Sequence, residues 1–161
     1  MERCAATRCA HAVKYVGLTL ENIPYAAQLG KELYSLGAFN MVGPEFDWDF
    51  TIRSLRYAMD DPMRYLRFAV DDDGTFTGGV FGHVASFFCS PKLMGIEDGW
   101  YVREGTPYRA RVAMTLMRGF VDWALDEKGA LLVQSGDVAA INSHAVDTLY
   151  RHMGFTRFGT I

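Results

Sequence analysis

At 161 residues, half of them apolar, the chain has the length and apolar content of one compact domain, and a single domain over residues 1–161 is expected. Sixteen basic against nineteen acidic side chains give a formal charge of -3, which supplies no global cationic field for gathering nucleic acid. The three cysteines, Cys4, Cys9 and Cys89, are too few and too unevenly spaced for a disulfide framework.

Cys4, Cys9 and His11 lack both the close cysteine pair and an evident fourth ligand, so no metal is expected. No segment approaches the ~20 uninterrupted apolar residues of a membrane-spanning helix, and the N-terminus lacks the apolar stretch of a signal peptide. A cytoplasmic protein without a membrane partner is the expectation.

In chain order, Ala12 to Leu18 reads as a short strand, and the polar Thr19 to Asn22 can cap a helix from about Ile23 to Leu36. Ala26, Leu29, Leu33 and Leu36 form its inward stripe and Gly37 ends it. A loop with Gly43 and Pro44 leads to a second helix near Trp48, with Trp48, Ile52, Leu55 and Met59 on one face. Asp60, Asp61 and Pro62 close that helix before a strand from Tyr65 to Val70.

Asp72, Asp73 and Gly74 signal a hairpin turn into Phe76 to Cys89, a run in which Gly78, Gly79 and Gly82 suggest bending or a bulge. After a turn at Ser90 to Lys92, Leu93 to Val102 gives another strand. The longest helix is expected from Ala110 to Lys128, with Val112, Leu116, Phe120, Trp123 and Ala124 inward and Gly129 as its stop. Ala130 to Gln134 reads as a buried strand. Asn142 or Ser143 caps a last helix reaching His152, and Gly154 precedes a strand from Phe155 to Ile161. The order is mixed α/β.

Chemistry concentrates in two places. The loop from Arg103 to Ala113 joins a strand to a helix whose first amides lack intrahelical partners, and small side chains at Ala110 and Ala113 allow an anion to approach the backbone. Arg109 or Arg111 adds a cation, although solvated arginines at an ordinary junction would look the same. The second place is Leu149-Tyr150-Arg151-His152-Met153-Gly154-Phe155, a tyrosine near a helix end followed by glycine and an aromatic residue entering a strand.

That run resembles the signature of the GNAT superfamily of N-acetyltransferases. The likeness extends back through Asn142, the Ala130 to Gln134 segment, the Phe120 to Ala124 helix and Trp100-Tyr101-Val102, so it covers the second half in detail. It is similar above all to short members, many encoded by phages, which combine a phenylalanine and tryptophan-alanine helix with a glycine-threonine ending. The family's cofactor loop reads arginine or glutamine, two residues, glycine, one residue, then glycine or alanine. This loop departs from that pattern: Ala113 takes the final small position, but Tyr108 and Arg111 then stand where the leading arginine and the glycine would be, and if Arg109 leads instead, the glycine position falls on Val112.

The resemblance implies a GNAT-like fold, with a central twisted and mostly antiparallel sheet, a splayed parallel pair and about four flanking helices. It implies acetyl-CoA as acetyl donor and an amine of a small molecule or protein as acceptor. The pantetheine arm would pair with the strand ending in Trp100, Tyr101 and Val102, and the diphosphate would meet the amides of Tyr108, Arg109, Ala110, Arg111, Val112 and Ala113. A backbone N–H near Tyr101 or Val102 would polarise the thioester carbonyl.

Asn142 would touch the cofactor or cap its helix. Glu97 matches the region of a general base, with Asp98 as its neighbour and alternative; strand alternation turns the two apart unless a bulge intervenes. Both are equally readable as exposed strand-end carboxylates. Tyr150 matches the general acid, against a packed tyrosine with a wet hydroxyl.

His144 and His152 read as surface residues. Glu45, Asp47 and Asp49 could receive a cationic amine, or form a solvated loop with helix-start carboxylates. Other classes fit the same pattern: a GNAT-shaped binding protein without catalysis that docks on a host protein, or an enzyme using another acyl donor or a nucleobase amine. A homodimer is compatible with each.

Overall fold

A computed structural model of the chain describes residues 12–37, 43–136 and 143–157. Its sheet has five strands in sequence order: β1 (Lys14–Gly17), β2 (Arg64–Val70), β3 (Phe76–Phe87), β4 (Ser90–Val102) and β5 (Val133–Gln134). β1 to β4 are antiparallel neighbours, and β5 lies parallel to β4. The helices are α1 (Ile23–Leu36), α2 (Trp48–Asp60), α3 (Arg109–Asp122) and α4 (Ser143–His152).

The helices cover both faces of the sheet. On one face Ile23, Ala26, Ala27 and Leu29 of α1 and Leu55 of α2 pack against Phe68 and Phe76. On the other, Val112, Leu116, Met117 and Phe120 of α3 pack against Ala69, Val80 and Val84, and Leu149 and Tyr150 of α4 join the edge of that cluster. Phe120 lies so close to the sheet that a Cβ on Gly82 would meet its ring at 2.4 Å, so this glycine is needed for close packing.

Local chemistry accounts for most boundaries. Asp47 caps α2 by accepting the amide of Phe50 at 2.8 Å. Gly129, at φ 69°, stops the α3 region, and Gly154, at φ 86°, turns the chain after α4. Asn22 does not cap α1 with its side chain: its amide donates back to the carbonyl of Gly17, and its oxygen accepts from Thr19. Pro24, whose fixed φ suits a helix start, stands in the first turn instead.

Several expectations are corrected. α3 gives way over Trp123–Glu127 to a wider π turn, closed by Lys128 N–H donating to the Trp123 carbonyl at 3.0 Å. Leu36 and Trp48 face solvent, and the buried face of α2 runs through Leu55 and Ala58. The turn expected at Ser90 to Lys92 lies instead at Phe88 and Cys89, because Phe87 already pairs with Ser90.

The strand expected over Ala130 to Gln134 shrinks to Val133–Gln134. Leu131 and Leu132 belong to an edge segment, each 44–60% exposed. Phe155 to Arg157 are not in a strand, and residues 158–161, like Asn142, lie outside the described residues.

Candidate active site

β4 and β5 pair over only two positions, Gly95 with Val133 and Ile96 with Gln134, and then part. The backbone of β4 beyond that fork can be followed by strand alternation. Gly95 N–H donates to the Leu132 carbonyl at 2.9 Å, so Gly95 turns toward β5 and Ile96 toward β3. Gly82 then pairs with Glu97 while Phe81 pairs with Gly99, leaving Asp98 as the extra residue of a β-bulge.

The bulge reverses the alternation. Gly99, Tyr101 and Arg103 now turn toward β3, the last through its N–H on the Thr77 carbonyl at 2.8 Å. Trp100 and Val102 turn their N–H and C=O groups to the open edge, where Arg109 Nε donates to the Val102 carbonyl at 2.9 Å. The bulge also brings both Glu97 and Asp98 to the same cleft.

That cleft has a volume of about 870 Å³ and passes through the fork, bounded by α1 and α2 on one face and by α3 and α4 on the other. Behind the lining residues Glu97 and Tyr150, Ser135 Oγ donates to Glu97 Oε2 at 2.6 Å. The Tyr150 hydroxyl forms a very short bond with the same Ser135 oxygen and reaches Glu97 Oε2 at 3.5 Å. With the serine proton committed to Glu97, Tyr150 is the donor to Ser135.

Burial raises the Glu97 pKa from 4.5 to about 7, against the lowering pull of the Ser135 hydroxyl and the Gly136 amide; the neighbouring Asp98 charge adds to the rise. The result is a carboxyl that titrates near neutral pH, two hydrogen bonds away from a phenol. Tyr150 is held by the rings of Trp100, centroids 5.4 Å apart, and Phe155, 5.2 Å apart. Trp100 is fixed in turn by its indole N–H on the Ala113 carbonyl at 3.1 Å.

The first turn of α3 faces the same cleft. Arg109, Ala110 and Ala113 line it, and among the described residues the N–H groups of Ala110 and Arg111 have no protein acceptor. Val112 is a core residue, 2% exposed. Tyr108 and Arg111 project outward, with the Arg111 guanidinium 5.8 Å from the Tyr108 ring centre, and Tyr108 itself adopts a left-handed φ of 55°. Tyr101 lines the opposite side of the cleft, its ring against the α1 cluster.

No protein-family model matches the chain, and no curated protein matches it in sequence. Solved structures match it in fold. A probable acetyltransferase is 18% identical, with a TM-score of 0.70 over 92% of this chain and 95% of the other. An aminoglycoside N-acetyltransferase, AAC(6')-Iy in complex with CoA, is 14% identical, with a TM-score of 0.76 over 96% and 94%. The ribosomal-protein-alanine N-acetyltransferase from Brucella melitensis biovar Abortus 2308 is 16% identical, with a TM-score of 0.65 over 93% and 96%.

The chain has the GNAT acetyltransferase fold. At these identities the likeness is one of architecture. Glu97 and Tyr150, singled out in the sequence, meet at the fork of this fold. Ser135 was missed, although its place just after the strand expected to end at Gln134, at the C-terminal end of a parallel strand, was the available signal.

Among the described residues no group of three metal-binding side chains occurs. His144 and His152 are exposed on α4, away from the cleft lining. Asp47 is spent on its helix cap, and Glu45 and Asp49 are not among the residues that line the cleft.

Proposed function

We propose that the protein is an N-acetyltransferase that uses acetyl-CoA to acetylate a primary amine. The observation that carries this reading is the Glu97–Ser135–Tyr150 hydrogen-bond chain at the fork between β4 and β5. Its support from the backbone is independent: Trp100 and the N–H of Val102 offer edge-facing strand groups of the kind an extended amide-bearing arm can add to, and the amides of Ala110 and Arg111 suit a diphosphate at a helix start. The donor supplies an activated acyl group as a thioester.

A primary alkyl ammonium, with a pKa near ~10.4, must lose a proton before its nitrogen can attack. Glu97, with its pKa near 7, takes that proton directly or through water. The nitrogen lone pair forms the new N–C bond as the C–S bond breaks, and Tyr150 donates its proton to the departing sulfur. Protonated Glu97 can then donate to Ser135, and Ser135 to Tyr150, which restores the phenol; that proton thus moves from amine to thiol, and the second proton that the nitrogen sheds as the ammonium becomes an amide leaves to solvent. The N–H of Trp100 or Val102 is placed to receive the carbonyl oxygen, whereas Tyr101 spends its backbone on β3.

The test is release of free CoA thiol from acetyl-CoA across polyamines, aminoglycosides, aryl and alkyl monoamines, and peptides with free lysine or N-terminal amines. Saturable acetyl-CoA binding and amine-dependent thiol release are expected. Absence of acetyl-CoA binding, by calorimetry and by thermal stabilisation, overturns the reading in favour of a GNAT-shaped protein without catalysis.

A further inference from the structure

Beyond the fork, the cleft continues between the sheet and the paired helices α1 and α2. Leu33, Phe50, Leu55, Leu66 and Phe81 line this half. Phe50 stands 62% exposed there, a large apolar ring on a wall that would otherwise be wetted. This half is the side from which an acceptor approaches Glu97, because α3 and its first-turn amides close the other.

Few charges line its mouth. Among the described lining residues they are the carboxylates Glu97 and Asp98, and Arg64, whose guanidinium already faces Asp61 at 3.5 Å and Asp98 at 4.0 Å; Arg109 belongs to the α3 side, on the Val102 carbonyl. Glu97 is poised to be half neutral near pH 7. Asp98 already accepts His83 Nδ1 at 2.8 Å and faces Arg64 at 4.0 Å. One ammonium group can be received between Glu97 and Asp98. Among the described lining residues a second or third ammonium meets no further carboxylate and comes up against the Arg64 guanidinium.

We propose, on the acetyltransferase reading above, that the acceptor is a small primary amine carrying one positive charge on a compact aromatic or aliphatic body. Polycationic aminoglycosides and polyamines fit this half less well, since among the described lining residues only Glu97 and Asp98 can meet an ammonium. This separates the chain from the aminoglycoside acetyltransferase that shares its fold. Ring-on-ring contact with Phe50 and Phe81 holds the body while the ammonium faces the two carboxylates, a division typical of pockets with few polar groups. A cavity of about 870 Å³, shared with the acyl end of the donor, accommodates a compact body on one side of the fork.

The experiment uses 2-phenylethylamine, kanamycin, spermidine and a peptide with an N-terminal phenylalanine. Binding of each is measured by calorimetry with and without CoA, and kcat/KM is measured with acetyl-CoA. At least a tenfold preference for 2-phenylethylamine over the other three, in affinity and in kcat/KM, is expected. A preference for kanamycin, spermidine or the peptide overturns the proposal, as does the lack of saturable 2-phenylethylamine binding. Failure of acetyl-CoA alone to bind overturns the enzyme reading instead, and the amine calorimetry still decides the acceptor class.

The variant Phe50→Glu adds a second arm. Position 50 is three residues after the Asp47 cap, where a glutamate completes a capping box and favours α2. At least a fivefold loss of 2-phenylethylamine affinity with an unchanged melting temperature is expected. Unchanged affinity counts against the apolar half of the cleft as the acceptor site.

Discussion

Ser135 stands between Glu97 and Tyr150, donating to the carboxylate at 2.6 Å while accepting from the phenol. Its hydroxyl holds the Glu97 pKa down against burial. Ser135→Ala removes that bond, so the pKa should climb beyond 7 and the alkaline shift should be visible in the rate. A several-fold loss of kcat/KM at pH 7 that is largely recovered near pH 9 is the expected profile. A loss equal at both pH values would mean that the serine does not act by holding the Glu97 pKa down.

Glu97 makes a sharper prediction about pH. As a base it must be ionised, so kcat/KM should rise through an apparent pKa near 7, and Glu97→Gln should abolish that limb and lower activity at pH 8 by about 100-fold. Stability should move the other way. A carboxyl whose folded pKa is raised binds its proton more tightly in the native state, so its contribution is neutral below about 4.5 and becomes a penalty as pH rises to 7.

The full shift from 4.5 to about 7 corresponds to roughly 3 kcal/mol as an upper figure. Glu97→Gln should therefore be more stable than the parent at pH 8 and lose that advantage near pH 4, as read by urea denaturation.

Tyr150 is anchored by Trp100 and Phe155 independently of its hydroxyl. Tyr150→Phe keeps the rings in place and removes the proton donor, so kcat should fall by about 100-fold while the acetyl-CoA dissociation constant stays within twofold. Turnover unchanged from the parent would remove Tyr150 as the acid.

These three residues were unequally legible. Tyr150 announced itself through the Gly154-Phe155 ending, where a helix stop and a following aromatic residue carry a strong local pattern. Glu97 was placed by its strand, but its partnership with Asp98 at the cleft was not, because strand alternation separates neighbours and a bulge depends on how β3 and β4 pair. Ser135 has no helical or strand period to mark it; its role arises from the parting of β4 and β5, a long-range event.

The helices with one apolar face were read nearly to their ends. Ala130 to Gln134 was read as a buried strand because its run is apolar, yet only two residues pair and Leu131 and Leu132 are exposed. Apolar composition alone does not distinguish a central strand from an edge segment.

The first turn of α3 permits a test that separates binding from folding. Ala110 is exposed and its N–H lacks a protein acceptor among the described residues. A glutamate there suits the helix dipole, so Ala110→Glu should leave the melting temperature unchanged or slightly raised. The same charge repels a diphosphate, and the acetyl-CoA dissociation constant should rise at least tenfold. Retained affinity would move the phosphate contacts elsewhere.

Arg103 ties the end of β4 to the helix that walls the acceptor half of the cleft. Its Nε and Nη2 each donate to the Glu32 carboxylate of α1 at 2.7 Å, and Nη1 donates to the Phe76 carbonyl at 2.6 Å. Lysine cannot reproduce this planar fork. The hydrogen bond from Arg103 lowers the Glu32 pKa, so the pair stabilises the fold above the ordinary carboxylate range and the benefit is lost as pH falls through the lowered value.

Arg103→Lys should thus cost about 1 kcal/mol at pH 7, given that both groups are partly exposed, and less at acid pH, once Glu32 is protonated and only the bond to the Phe76 carbonyl remains. Because α1 also supplies Leu33 to the cleft, the acceptor KM should rise more than the acetyl-CoA KM. Denaturation at the two pH values, combined with the two Michaelis constants, checks both consequences. Destabilisation that does not shrink with acid would show that the arginine contributes through its packed stem and its bond to the Phe76 carbonyl and not through the ion pair.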